Sequence, residues 1–235
     1  MACCSSATRK VCSTSARSSV CGGRPPTSAS CRVNRLSEEA RARLRYRERS
    51  FDIAAVKILP GEFYVTEEDI ALTTTLGSCV AACIHDPVAK VGGMNHFMLP
   101  SSQSEGVANP VSNEARYGVY AMELLLNELF RLGANRRRLQ ARVFGGAHVL
   151  PGMSVSHVGQ RNAEFVREFL RQEAIELVAE KMVGKDALKV CFFPATGRTW
   201  VKPLPVSDVN SLARLEAQHA RRLRQRPVAG DVELF

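Results

Sequence analysis

Runs of apolar residues broken by turn signals begin near residue 51 and lay out the folded part of the chain. Ala54 to Leu59 and Asp69 to Thr75 read as strands, separated by a turn at Pro60-Gly61. Val80 to Ile84 is continuously apolar and stops at Asp86-Pro87. Gly93 to Leu99 is another such segment, closed by Pro100. Residues 101–112, rich in Ser, Gly and Asn, read as a loop. A helix follows, with Ser112 or Asn113 as its cap and Glu114 near its positive end. Tyr117, Tyr120, Ala121, Leu124, Leu125, Leu129 and Leu132 recur at helical spacing, and Gly133 ends the run. Leu139 to Phe144 reads as a strand leading into Gly145-Gly146, and a second helix is expected from Asn162 to Arg171. Ile175 to Met182, Leu188 to Phe193 and Thr199 to Leu204 complete the strands. About seven strands and two main helices that do not alternate strictly predict an α+β fold, a layered sandwich of mixed sheet and helices.

Charge changes the picture at the ends. The net charge of the 235 residues is +9, but residues 1–37 hold six basic residues and no acid, and residues 211–235 hold five arginines against three acids. The intervening part is nearly neutral. This argues against a nucleic-acid binder, as does the lack of aromatic stacking motifs. The expected organisation is a basic, Ser- and Cys-rich disordered extension over residues 1–50, a folded domain over 51–210, and an Arg-rich tail over 211–235 that forms at most a frayed helix. No stretch nears the roughly 18 apolar residues of a membrane helix, and the extension lacks the apolar core of a secretory signal.

Cys3, Cys4, Cys12, Cys21 and Cys31 lie in the extension, leaving Cys79, Cys83 and Cys191 in the folded part. Three scattered cysteines are no disulfide framework, so a reducing cytoplasm is expected. Cys79 follows a Gly77-Ser78 turn, where its backbone N–H could face an oxyanion, whereas Cys83 reads as an ordinary core residue. His96 closes the next apolar segment, after Gly92-Gly93 and Asn95. A cysteine and a histidine suffice for thiol chemistry on an acyl group, if a third group orients the imidazole. Thr73, Thr74 and Thr75 are candidates for that group, through hydroxyl or carbonyl. A metal site of Cys79, Cys83, His85 and His96 is the weaker alternative, because these residues lack the close pairing of zinc knuckles.

Leu76-Gly77-Ser78-Cys79-Val80, His85-Asp86-Pro87-Val88-Ala89 and Gly92-Gly93-Met94-Asn95-His96-Phe97-Met98-Leu99-Pro100 together resemble CheD, the chemoreceptor glutamine deamidase family of bacterial chemotaxis. The likeness continues at Phe144-Gly145-Gly146-Ala147, Val158-Gly159-Gln160-Arg161-Asn162 and Phe192-Phe193, with Thr196-Gly197 and Val201-Lys202 after them. The resemblance implies a cysteine-hydrolase fold related to the catalytic domain of cytotoxic necrotizing factor toxins. It implies Cys79 as nucleophile, His96 as acid and base, and Thr73 as the group fixing the imidazole, with Gly77, Ser78 and Asn95 in the substrate and oxyanion region. It further implies no metal or organic cofactor, a receptor glutamine as substrate, a secondary glutamyl methylesterase activity, and a CheC-type chemotaxis phosphatase as a second partner. A catalytically silent docking module for receptors or phosphatase is the rival reading.

Overall fold

The computed structural model describes residues 40–100, 113–147 and 156–225. The first 39 residues of the expected extension, with its five cysteines, and the loop expected over 101–112 lie outside them. Ten strands and three helices follow one another along the described residues. They are β1 (Leu44–Glu48), β2 (Ile53–Lys57), β3 (Phe63–Thr66), β4 (Ala71–Leu76), β5 (Val80–Asp86), β6 (Val91–Asn95), α1 (Asn113–Arg131), β7 (Gln140–Gly145), α2 (Ser156–Gln172), β8 (Glu176–Met182), β9 (Leu188–Phe193), β10 (Arg198–Pro203) and α3 (Val206–Gln225).

The strands form two five-stranded sheets, ordered β1-β2-β4-β9-β10 and β3-β6-β5-β7-β8. Each is mixed: β2 and β4 run parallel in the first, β7 and β8 in the second, and the remaining pairs are antiparallel. The α+β expectation therefore holds.

β5 explains the layering. Its side chains alternate between two buried faces, which is why the sequence reads as a continuous apolar run rather than an alternating one. Ala81 and Cys83 face a core shared with the first sheet, including Ile58, Leu72, Leu76, Val190 and Phe192. Val80, Ala82 and Ile84 join a core with Leu125 and Leu129 of α1 and Val166 and Leu170 of α2. The order is sheet, sheet, helices.

Two boundaries differ from expectation. The extension drawn over residues 1–50 contributes β1, which pairs antiparallel with β2. Four of its five residues are exposed, so it carries no apolar signature. Of the tail drawn from 211, residues 211–225 belong to α3, a helix that starts at Val206 and meets the Gly77-Ser78-Cys79 turn through Glu216.

Candidate active site

β4 ends in the first sheet and β5 begins in the second, so Gly77-Ser78-Cys79 is the crossover between them. The three carbonyls of this turn are each tied back. The N–H of Ala147 donates to the Gly77 oxygen at 2.7 Å, Asn162 Nδ2 to the Ser78 oxygen at 2.8 Å, and the N–H of Gly146 to the Cys79 oxygen at 2.8 Å. Asn162 is held in turn by the Leu99 N–H, 2.8 Å from its Oδ1. With its carbonyls fixed on one side, the turn directs its N–H groups to the other, as in an anion-binding nest.

All three N–H groups meet one carboxylate, that of Glu216 on α3. Gly77 N–H donates to Oε1 at 2.8 Å and Cys79 N–H at 3.3 Å, while Ser78 N–H and Oγ donate to Oε2 at 3.0 and 2.7 Å.

His96 reaches the thiol through backbone pairing. Val80 and Phe97, the residues after Cys79 and His96, exchange both N–H···O bonds, at 3.0 and 2.9 Å. Thr74 Oγ1 lies 2.8 Å from His96 Nδ1 and donates its proton to the Ile58 carbonyl at 2.7 Å. A hydroxyl has one proton to give, so Nδ1–H is the donor to Thr74, and Nε2 is left as the basic nitrogen. Nε2 is buried and has no hydrogen-bond partner among the described residues. Cys79 Sγ, a ring nitrogen of His96 and a carboxylate oxygen of Glu216 lie within 4.8 Å of one another.

Burial sets the charge state. Burial, then the Glu216 charge and its hydrogen bond, push the Cys79 thiol well above its ordinary value. Burial and the neighbouring His219 lower His96 to about 3. In this arrangement both groups are neutral at pH 7.

The expected site residues divide. Cys79, His96, Gly77 and Ser78 come together. Thr73, implied as the group fixing the imidazole, does not: its hydroxyl meets Tyr46 Oη at 2.7 Å. Successive strand residues face opposite sides, so the neighbouring Thr74 takes the place at the ring. Asn95 is also displaced from the oxyanion region. Its Oδ1 accepts the Ala82 N–H at 3.0 Å and its Nδ2 donates to the Ala121 carbonyl at 3.1 Å, bracing β5 against α1.

Cys83 and His85 do not join the cluster of Cys79, His96 and Glu216, so the metal set weighed from the sequence is not assembled. The cluster itself is a poor cation site. Four donors fill the lone-pair directions of the Glu216 carboxylate, which leaves none for a metal.

Glu216 and Asn162 escaped the sequence reading. Asn162 stood within a quoted motif but without a role. Glu216 is one acid in an arginine-rich segment and carries no local mark of burial.

A family model described as CheD chemotactic sensory transduction matches residues 98–203. The chain is 50% identical over 203 residues to a Methylobacillus flagellatus protein named "Probable chemoreceptor glutamine deamidase CheD", covering 86% of this chain and 100% of that one. It is 52% identical over 192 residues to a protein of the same name from Xanthomonas campestris pv. campestris, covering 82% and 94%. Among solved structures, the Bacillus licheniformis hypothetical protein YfiH aligns with a TM-score of 0.33 and 15% identity, over 52% of this chain and 51% of that one.

Proposed function

We propose that this chain, which belongs to the CheD family, hydrolyses glutamine side chains of chemoreceptors to glutamate, the activity for which its relatives are named. One observation carries the reading: three backbone N–H groups converge on a carboxylate whose oxygen lies within 4.8 Å of a thiol and an imidazole. A glutamate carboxylate is the group this reaction leaves behind.

The chemistry follows from the geometry. His96 Nε2 takes the Cys79 proton, and the thiolate attacks the carboxamide carbon, forming a C–S bond. The negative charge on the former carbonyl oxygen is met by the N–H groups of Gly77 and Cys79, which here share one oxygen of Glu216. The imidazolium returns its proton to the departing nitrogen, the C–N bond breaks, and ammonia leaves a thioester. His96 then draws a proton from water, which attacks the thioester; glutamate is released and the thiol restored. Thr74 holds the ring in the tautomer this sequence needs. Each step uses the chain's own groups and water. A glutamyl methyl ester can follow the same route with methanol as leaving group.

The substrate region is the cytoplasmic helical rod of a methyl-accepting receptor, which places the enzyme in the cytoplasm. No described helix is long and apolar enough to cross a membrane. A CheC-type phosphatase as second partner, and kinship of the fold with the cytotoxic necrotizing factor catalytic domain, belong to the same proposal. Intact-mass measurement of a receptor cytoplasmic fragment tests it. Each hydrolysed glutamine adds roughly one dalton, because NH₂ is replaced by OH. A bound fragment whose mass stays constant with wild-type and Glu216→Ala chains alike would overturn the reading.

A further inference from the structure

The thiol and imidazole that the reaction needs are sealed. Cys79 is 0% exposed and His96 2%, so no side chain of another protein can reach them in this arrangement. The seal is α3. Leu212, Glu216, His219 and Ala220 fall at i, i+4, i+7 and i+8, one face of the helix. Leu212 and Glu216 are buried. The His219 ring packs over Gly61 so closely that a Cβ there would come within 2.7 Å of it, and its Nε2 lies 3.5 Å from Tyr117 Oη. Glu216 stands in a helix bearing Arg214, Arg221, Arg222 and Arg224, yet its carboxylate is bound in the backbone nest of the nucleophile turn.

The hold is local. Among the described side chains of α3 only Leu212 and Glu216 are buried, whereas α1 buries Met122, Leu125, Leu126 and Leu129. The helix is joined to β10 through Leu204-Pro205, where the Leu204 N–H donates to the Ala187 carbonyl at 2.7 Å. An element with so few apolar anchors belongs to the weakly held part of a fold.

We propose that α3 is an autoinhibitory element and that Glu216 is its built-in product analogue, keeping a glutamate carboxylate where the reaction leaves one. A receptor segment gains the nucleophile only by displacing α3. That Glu216 mimics the product rests on the deamidase reading; that α3 closes the site does not. The proposal has a consequence in chemistry. Glu216→Gln places a carboxamide against Cys79, its oxygen on the Gly77 and Cys79 N–H groups and its NH₂ toward Ser78 Oγ, which turns to accept it. The thiolate adds to its Cδ, ammonia leaves with a proton from His96, and water cleaves the thioester. The introduced amide becomes the original glutamate without any other substrate.

Two readouts on the full chain test this. The first is the peptide mass around position 216 in Glu216→Gln, with and without Cys79→Ala. A gain of roughly one dalton that vanishes in the double variant is expected. The second is alkylation by iodoacetamide. Glu216→Ala should raise the Cys79 rate about tenfold or more, while the buried Cys83 and Cys191 stay slow and report that the fold is intact. If Cys79 is exposed but neither the introduced amide nor a receptor fragment is hydrolysed, α3 still closes the site and the deamidase reading falls. If receptor glutamines are hydrolysed while Cys79 of Glu216→Ala alkylates no faster than in wild type, the deamidase reading stands and autoinhibition is overturned.

Discussion

A single step along β4 separates the hydroxyl that holds His96 from the one that does not. Thr74 bridges Nδ1 and the Ile58 carbonyl, while the buried Thr73 faces the other side of the sheet and meets Tyr46, whose hydroxyl donates to Glu48 at 2.9 Å. Outer hydrogen bonds that fix a ring's tautomer are commonly worth a factor of about 10–100 in function. Thr74→Val should therefore lower kcat by roughly that factor with little change in KM, and Thr74→Ser should restore it. Thr73→Val should act on stability, through the Tyr46–Glu48–Lys189 network, rather than on turnover. A steady-state comparison of the three variants distinguishes the two threonines. The sequence presents three adjacent threonines and marks the right stretch. Choosing among them needs the face each presents, which depends on a partner strand and on a carbonyl at residue 58.

The nucleophile turn depends on an element far from it in sequence. Gly145 closes β7 at φ +112, and a Cβ there would lie 2.2 Å from the Cys79 carbonyl oxygen. Gly145→Ala combines backbone strain with a clash against main chain, so it should cost at least ~2 kcal/mol of stability. It should also abolish turnover, because the turn must move. Thermal melts and activity on one preparation check this. The Phe144-Gly145-Gly146 run was visible as a motif, but its reason was not, since the carbonyl it accommodates belongs to another loop. Strands such as β5 and β9 were legible because both their faces are largely buried and their sequences are mostly apolar. β3, with four residues, is too short to stand out. α3 read as a frayed tail because its inner face offers Leu212 and a carboxylate where α1 offers a stripe of leucines.

Over the molecule as a whole, two mixed sheets and a helical layer carry the site, and β5 runs through the middle of that stack. Its last residue, Asp86, is 0% exposed and fastens the strand to the connection after α1. It accepts N–H groups from Val88, Ala89 and Asn135 and a forked contact from Arg138. Burial alone would raise its pKa, but Arg138 and the backbone donors outweigh it and hold the carboxyl well below the usual range. A depressed folded value means stability that is present above the unfolded pKa and lost as pH falls through the folded one. Asp86→Asn should cost about 3 kcal/mol at neutral pH. The gap in Tm from wild type should narrow once the pH drops below about 4. The α+β class was legible from strands and helices that fail to alternate; the contact of α3 with the nucleophile turn was not, because it joins residues 77–79 to residue 216. The thiol at position 79 remains the centre of the account, and ammonia release from a receptor cytoplasmic fragment, measured side by side for the wild-type chain and Cys79→Ala, tests it most directly. Release by the wild type and none by the variant is the predicted result; release at equal rates by both would contradict it.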